Sequence, residues 1–317
     1  MTNGVIGDDR VKGGIARAHQ IDGRADGVLE QVAVDGDARD GRTTTGDGDA
    51  ADARAHAHLE RVVARYRGRL CCWDGVNELL DGDYYGERLG DDANAAFYRH
   101  AGALDARTPL FVNEYSILDN DERTARYVEL IARLRAQGAP LGGIGIQEHA
   151  AERTVADAAG AREEEALPER QGRGPIIPAQ MWARLDRLAV TGLPIHLTEI
   201  SFRTADEQRK ADQLEALVLM ALAHPAVEHL LLWGFHPRGH WLGRLAALVD
   251  DDWSALPAFE RLLALRRRWR TPATTLTTDA AGRAALTGWH GRYALRVGGR
   301  THVAAFDARQ SGIALTV

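Results

Sequence analysis

The feature that most constrains this chain is a recurrence. Apolar runs suited to buried strands stop abruptly at polar or aromatic groups: Asn77 and Glu78, Asn113 and Tyr115, Gln147 and His149, Glu199, then Trp233. The intervals are 35 residues from Glu78 to Asn113, 34 from Asn113 to Gln147, 52 from Gln147 to Glu199, and 34 from Glu199 to Trp233. The long interval contains an Ala/Glu/Arg/Gly-rich insertion over residues 151–174, read as a solvated loop. A strand, loop, helix, loop repeat of this length is the βα unit of a parallel sheet. Burial builds strand interiors, so carboxylates placed directly at strand ends are placed for use. In a (β/α)8 barrel those ends converge on one face; in a doubly wound open sheet the useful groups gather at one switch point. The spread of polar groups over every strand favours the barrel.

The intervening segments fit. Leu59, Val62, Val63 and Tyr66 fall at helical spacing before Gly68. Helices are expected over 124–137, 178–190, 205–223 and 258–269. After Thr271 the texture changes to short strands over 284–289, 292–297, 301–306 and 313–317, joined by Gly-containing turns, which predicts a small antiparallel appendage. Residues 1–56 are crowded with Asp, Gly, Ala and Arg and hold no aromatic residue, so they are read as unassigned and poorly packed. At best Gly27 to Val34 makes one short strand or helical turn. The domain reading is therefore 1–56 unassigned, 57–271 barrel, 272–317 appendage.

Composition excludes several classes. With 317 residues, 45% hydrophobic and 26% charged, the chain can bury a sizeable core. A net charge of −6 gives no basic field for nucleic acid or an anionic membrane. No apolar run is long enough for a transmembrane helix, and there is no signal-peptide pattern. Cys71 and Cys72 are neighbours on a strand and point to opposite faces, which argues against a structural disulfide. No His/Cys spacing suggests a zinc site, and no metal or cofactor is expected.

Two strands each delivering a glutamate, Glu78 and Glu199, are what acid/base or nucleophilic chemistry on a sugar needs. Trp73-Asp-Gly-Val-Asn-Glu78, Leu110-Phe-Val-Asn-Glu-Tyr115, Gly143-Ile-Gly-Ile-Gln-Glu-His149, His196-Leu-Thr-Glu-Ile-Ser201 and Leu232-Trp-Gly-Phe235 with His240-Trp241 together resemble glycoside hydrolase family 10, the retaining endo-β-1,4-xylanases. Five motifs in order at barrel spacing are specific, and the resemblance covers residues 57 to 317. It implies Glu78 as general acid/base and Glu199 as nucleophile. It also implies Asn77 on the sugar 2-hydroxyl, Gln147 and His149 orienting the glutamates, Trp233 and Trp241 as sugar platforms, and Tyr115 further along the cleft. Trp253 and Trp289 are read as core packing.

The resemblance implies an incomplete barrel, strands four to eight, because the family's E-N-x-M-K-W and R-G-H-x-L-x-W-H motifs are absent. It further implies a monomer acting on xylan or a related β-1,4-linked polysaccharide, with secretion expected from the family. Two other readings stand beside the xylanase: an impaired remnant that at most binds β-glycan, and another retaining β-1,4-glycanase on the same barrel. An open sheet lacking the sugar-gripping groups is expected to be crippled or inactive.

Overall fold

The structure is a computed structural model that describes residues 2–7, 15–21, 48–154, 178–306 and 312–314. Residues 27–34, and all of the insertion beyond Thr154, lie outside the described residues. In chain order the elements are β1 (Thr2–Gly7), β2 (Ile15–Ile21), α1 (Gly48–Tyr66), β3 (Trp73–Asn77), α2 (Tyr84–Leu89), α3 (Ala93–Leu104), β4 (Leu110–Tyr115), α4 (Asp121–Ala136), β5 (Leu141–Glu148), α5 (Ala151–Thr154), α6 (Pro178–Ala189), β6 (Ile195–Ile200), α7 (Glu207–Ala223), β7 (Val227–Leu232), α8 (Pro257–Arg268), β8 (Thr274–Thr277), β9 (Arg283–Gly288), β10 (Gly291–Val297), β11 (Arg300–Phe306) and β12 (Gly312–Ala314). They fall into two units, residues 29–262 and residues 1–28 with 263–317.

The larger unit is a five-stranded parallel sheet in the order β3-β4-β5-β6-β7, with helices between successive strands. The order runs one way with no reversal, as in a barrel wall and unlike a doubly wound sheet, where it turns back at a switch point. Among the described residues β3 and β7 are its edges. Val112, Ile144, Ile146, Ile195 and Leu197 are fully buried, and Tyr127, Leu130, Ile131 and Leu134 of α4 pack the helical layer. Asn120 starts α4 by accepting from the N–H groups of Glu122 and Arg123, at 2.9 and 3.1 Å. Asp121 and Glu122 in the first turn and Arg133 and Arg135 in the last complement the helix dipole.

Two irregularities place the strand ends. On β3, Asp74 pairs with Phe111 but Asn77 pairs with Asn113, so β3 carries one extra residue. On β6, Leu197 pairs with Ile146 but Glu199 pairs with Gln147, so Thr198 is extra. Such bulges bend a strand and re-aim the side chains that follow, here Asn77, Glu78 and Glu199. The β3 bulge is locked by Tyr98 of α3, whose hydroxyl lies 3.3 Å from the Val76 carbonyl and 3.2 Å from that of Phe111. Gly75 makes room for this ring: a Cβ there would meet Tyr98 Cε1 at 2.2 Å. Gly75→Ala is therefore expected to destabilise the chain by about 1–3 kcal/mol through overpacking. A lowered urea midpoint at unchanged slope would check this.

The smaller unit holds two sheets, β12-β1-β9 and β11-β10-β2-β8. All pairs are antiparallel except β1 with β12. Tyr293, Leu295, Val297, Ala304 and Phe306 form its core, with Leu276 and Leu286 packed against them. The sequence reading assigns no element to the first 26 residues. The structure forms β1 and β2 there, pairing β1 with β9 and β12 and β2 with β8 and β10. Trp253 departs from its reading as core: it is 66% exposed, on a loop where its φ is 68°.

Candidate active site

The C-terminal ends of β3 to β7 carry two connected clusters. In the first, Asn113 is the hub. Its Nδ2 donates to Asn77 Oδ1 at 3.1 Å and to the Asp74 carboxylate at 3.4 Å, and its Oδ1 accepts from Thr198 Oγ1 at 2.7 Å. Gln147 Nε2 also donates to Asn77 Oδ1, at 3.4 Å. With its oxygen taken by two donors, Asn77 must turn its Nδ2 outward, and that group donates to Glu78 Oε1 at 3.2 Å. A continuous chain of bonds thus runs from Thr198, next to Glu199, to Glu78.

Glu78 stands with a φ of 58°, a region costly for a side chain larger than glycine. Its N–H donates to the Asn113 carbonyl at 3.0 Å and holds it there. Ser116 repeats the arrangement after β4, with a φ of 51° and its N–H on the Gln147 carbonyl at 3.0 Å.

The second cluster surrounds Glu199. His149 Nε2 lies 3.4 Å from Glu199 Oε2, and its Nδ1 lies 3.2 Å from Ser201 Oγ. Ser201 Oγ in turn lies 3.3 Å from His240 Nε2. His240 Nδ1 accepts the Leu242 N–H at 2.9 Å, so the ring proton sits on Nε2, which donates to the Trp233 carbonyl at 2.7 Å. Burial depresses the His240 pKa and keeps the ring neutral, with the nearby His149 adding to the effect. Gly234 is required at this point: its φ is 78°, and a Cβ would meet His240 Cδ2 at 1.6 Å. Trp233 and Trp241 stand edge-on to His149, with ring centroids at 6.3 and 5.7 Å, and are 45% and 63% exposed. The His240 ring stacks beside that of Trp241 at 6.2 Å, and the Arg203 guanidinium lies over the Trp241 ring at 5.7 Å.

Of the residues anticipated from sequence, Asn77, Glu78 and Gln147 meet in the first cluster, and His149, Glu199, Trp233 and Trp241 in the second. The Gln147–Glu199 pairing joins the two. Tyr115 is placed apart. Its hydroxyl donates to Asp81, and the Arg123 guanidinium covers its ring at 4.5 Å. Thr198, Ser201 and His240 are the participants that the motifs contained without marking, and Asn113, read only as a strand-end polar group, has no role in that reading. Only their contacts distinguish them from strand and loop residues.

On the opposite face of β4, Glu114 is fully buried and accepts the Leu80 N–H at 2.6 Å, two residues past Glu78. Glu148 does the same for Leu118 at 2.6 Å, and Glu152 for Arg203 at 2.8 Å. Burial pushes the Glu114 pKa up to about 7, against the pull of the Leu80 N–H and Arg123, with Asp81 and Glu78 adding to the rise. Its ordinary value is 4.5, so between that pH and about 7 the folded chain keeps a proton that the unfolded chain has lost. Stability from this group is therefore full below pH 4.5 and falls as pH rises through about 7, by at most ~3 kcal/mol. Glu114→Gln should flatten that slope, read as the parent-minus-variant difference in urea midpoint at acid and at mildly alkaline pH.

The model of the family described as Glycosyl hydrolase family 10 matches residues 39–265. The chain belongs to that family. Among the relatives of this family 10 chain, Endo-1,4-beta-xylanase 2 of Arabidopsis thaliana is 33% identical over 257 residues, 79% of this chain and 21% of that protein. Anti-sigma-I factor RsgI6 of Acetivibrio thermocellus is 31% identical over 241 residues, 75% of this chain and 28% of that protein. The chain thus spans less than a third of the length of these relatives. The crystal structure of native xylanase 10B from Thermotoga maritima superposes with a TM-score of 0.60 at 21% identity, over 75% of this chain and 74% of that one. That likeness places the parallel sheet among family 10 folds.

Proposed function

We propose that the chain is an endo-1,4-β-xylanase that hydrolyses xylan with retention, Glu78 acting as acid/base and Glu199 as nucleophile. The observation that carries this reading is the bonded chain Thr198–Asn113–Asn77–Glu78, which ties the strand end of one glutamate to that of the other. Membership of family 10 and the likeness to the Arabidopsis endo-1,4-β-xylanase support the substrate class.

In the first step Glu199, its Oε2 beside His149 Nε2, attacks the anomeric carbon, while Glu78 gives its proton to the departing oxygen. The products are a glycosyl ester on Glu199 and the shortened polysaccharide. In the second, Glu78 takes a proton from water, whose oxygen displaces Glu199 from the same carbon. Two inversions give net retention. Asn77 Nδ2 has a second N–H beyond the one aimed at Glu78, suited to the sugar 2-hydroxyl. Trp233 and Trp241 would bear the sugar faces.

A second reading rests on the two edges of the five-stranded sheet. An open sheet holds catalytic groups less tightly than a closed barrel, which favours a remnant that binds β-glycan and turns it over poorly. Incubation with 4-nitrophenyl β-xylobioside separates the two. Release of 4-nitrophenol, with the β-anomer of xylobiose appearing first by NMR, would establish the xylanase and overturn the expectation of a crippled chain. Binding of xylo-oligosaccharide without release would leave only the remnant.

A further inference from the structure

We propose that His196, Glu228 and His229 form a divalent transition-metal site of the zinc type, binding β6 to the edge strand β7. His196 and His229 are direct register partners on adjacent parallel strands, and Glu228 precedes His229. One ligand atom from each lies within 4.8 Å of the other two. Two imidazoles and one carboxylate are a donor set that suits zinc and its neighbours in the first transition row, with solvent completing the coordination.

Packing orients the set. His196 is buried, with its ring centroid 4.3 Å from that of Phe111 and 4.4 Å from that of His229. Its Nε2 is the atom turned to Glu228, 3.8 Å from Oε2. Tetrahedral coordination at zinc bond lengths needs ligand separations of about 3.3 Å, so the three groups must close by an ångström or so. The Glu228 side chain, 52% exposed, has the freedom to do that. It also marks the route in, since β7 is an edge of its sheet and an ion need not cross the core. As a plain ion pair, a histidine with a half-exposed glutamate contributes little.

The site is separate from the glutamate chemistry. His196 lies three residues before Glu199 along β6, about 10 Å at strand rise. Its role would be to fasten a strand that, among the described residues, has a sheet neighbour on one side only.

The test is titration of the purified chain with zinc chloride, and with cobalt chloride for its visible d–d bands. Saturable binding of one equivalent and a thermal midpoint that rises with metal are expected. His229→Gln and Glu228→Gln should each weaken binding by roughly tenfold or more and abolish the bands of a three-ligand site. Both side chains lie outside the buried core, and either variant suffices if the other fails to fold. Absence of saturable binding up to about 1 mM would overturn the proposal. So would binding that both variants leave intact but His149→Ala removes, which would put the ion at the Glu199 cluster.

Discussion

Glu199→Ala is expected to lower release of 4-nitrophenol from the aryl β-xylobioside by roughly 10⁴-fold or more, with KM little changed. Among the described residues the second cluster has no other carboxylate: His149 contacts Glu199, and Ser201, His240 and Trp233 follow behind His149 without offering an equivalent nucleophile. The mutation also opens a space the size of a carboxylate beside the sugar. Added azide should enter it and restore release, and its product should be the α-glycosyl azide, formed by a single inversion. A merely structural role for Glu199 predicts no rescue at any azide concentration. Circular dichroism with an unchanged urea midpoint would show that the variant is folded.

Glu78→Ala should behave differently, and the difference identifies its role. On xylan, whose leaving group must be protonated, the rate is expected to fall by about 10²–10⁴-fold. With the aryl glycoside the phenolate departs with little protonic help, so the first step survives and the glycosyl ester on Glu199 accumulates. The signature is a burst of 4-nitrophenol followed by slow turnover. Azide should accelerate that turnover and yield the β-azide, since it enters from the face that Glu78 vacates after Glu199 has reacted. Opposite azide anomers from the two variants would assign the two carboxylates without reference to any relative. If both variants gave the same anomer, the assignment proposed above would fail.

Much of the larger unit was legible from alternation alone. The predicted strand over 110–115 coincides with β4, and the expected helices match α4, α6, α7 and α8 to within a few residues. Long amphipathic helices and fully buried strands are the segments where period and burial speak clearly. Three things were not legible. The helices α2 and α3 have no sequence reading: α2 lies in an Asp- and Gly-rich stretch, where Asp83 accepts from the Gly86 N–H at 2.8 Å and from Asn94 Nδ2 of α3 at 2.6 Å. The bulges at Gly75–Val76 and Thr198 are pairing defects, and pairing is not a property of one strand's sequence. The strands β1 and β2 are too weakly apolar to announce themselves, since they form by joining strands more than 250 residues away. In the site, the glutamates, their motif neighbours and Asn113 as a strand-end group were readable, whereas the hub positions of Asn113 and His240 come only from contacts.

The buried carboxylates on the outer face carry an implication for how this molecule can be altered. Glu114 serves the loop after β3, and Glu148 the loop after β4. Each loop is therefore completed by a residue that belongs to the next repeat. The natural unit of exchange is not a strand with its own loop but a loop together with the end of the strand that follows it. A chimaera cut between Leu80 and Glu114 would inherit a donor from one parent and its acceptor from another, and a shorter acid at that position would fall short of its N–H. Recombination among family 10 chains should be tolerated where the junction keeps each latch whole, and should fail at the strand boundaries that a sequence alignment would make look safest.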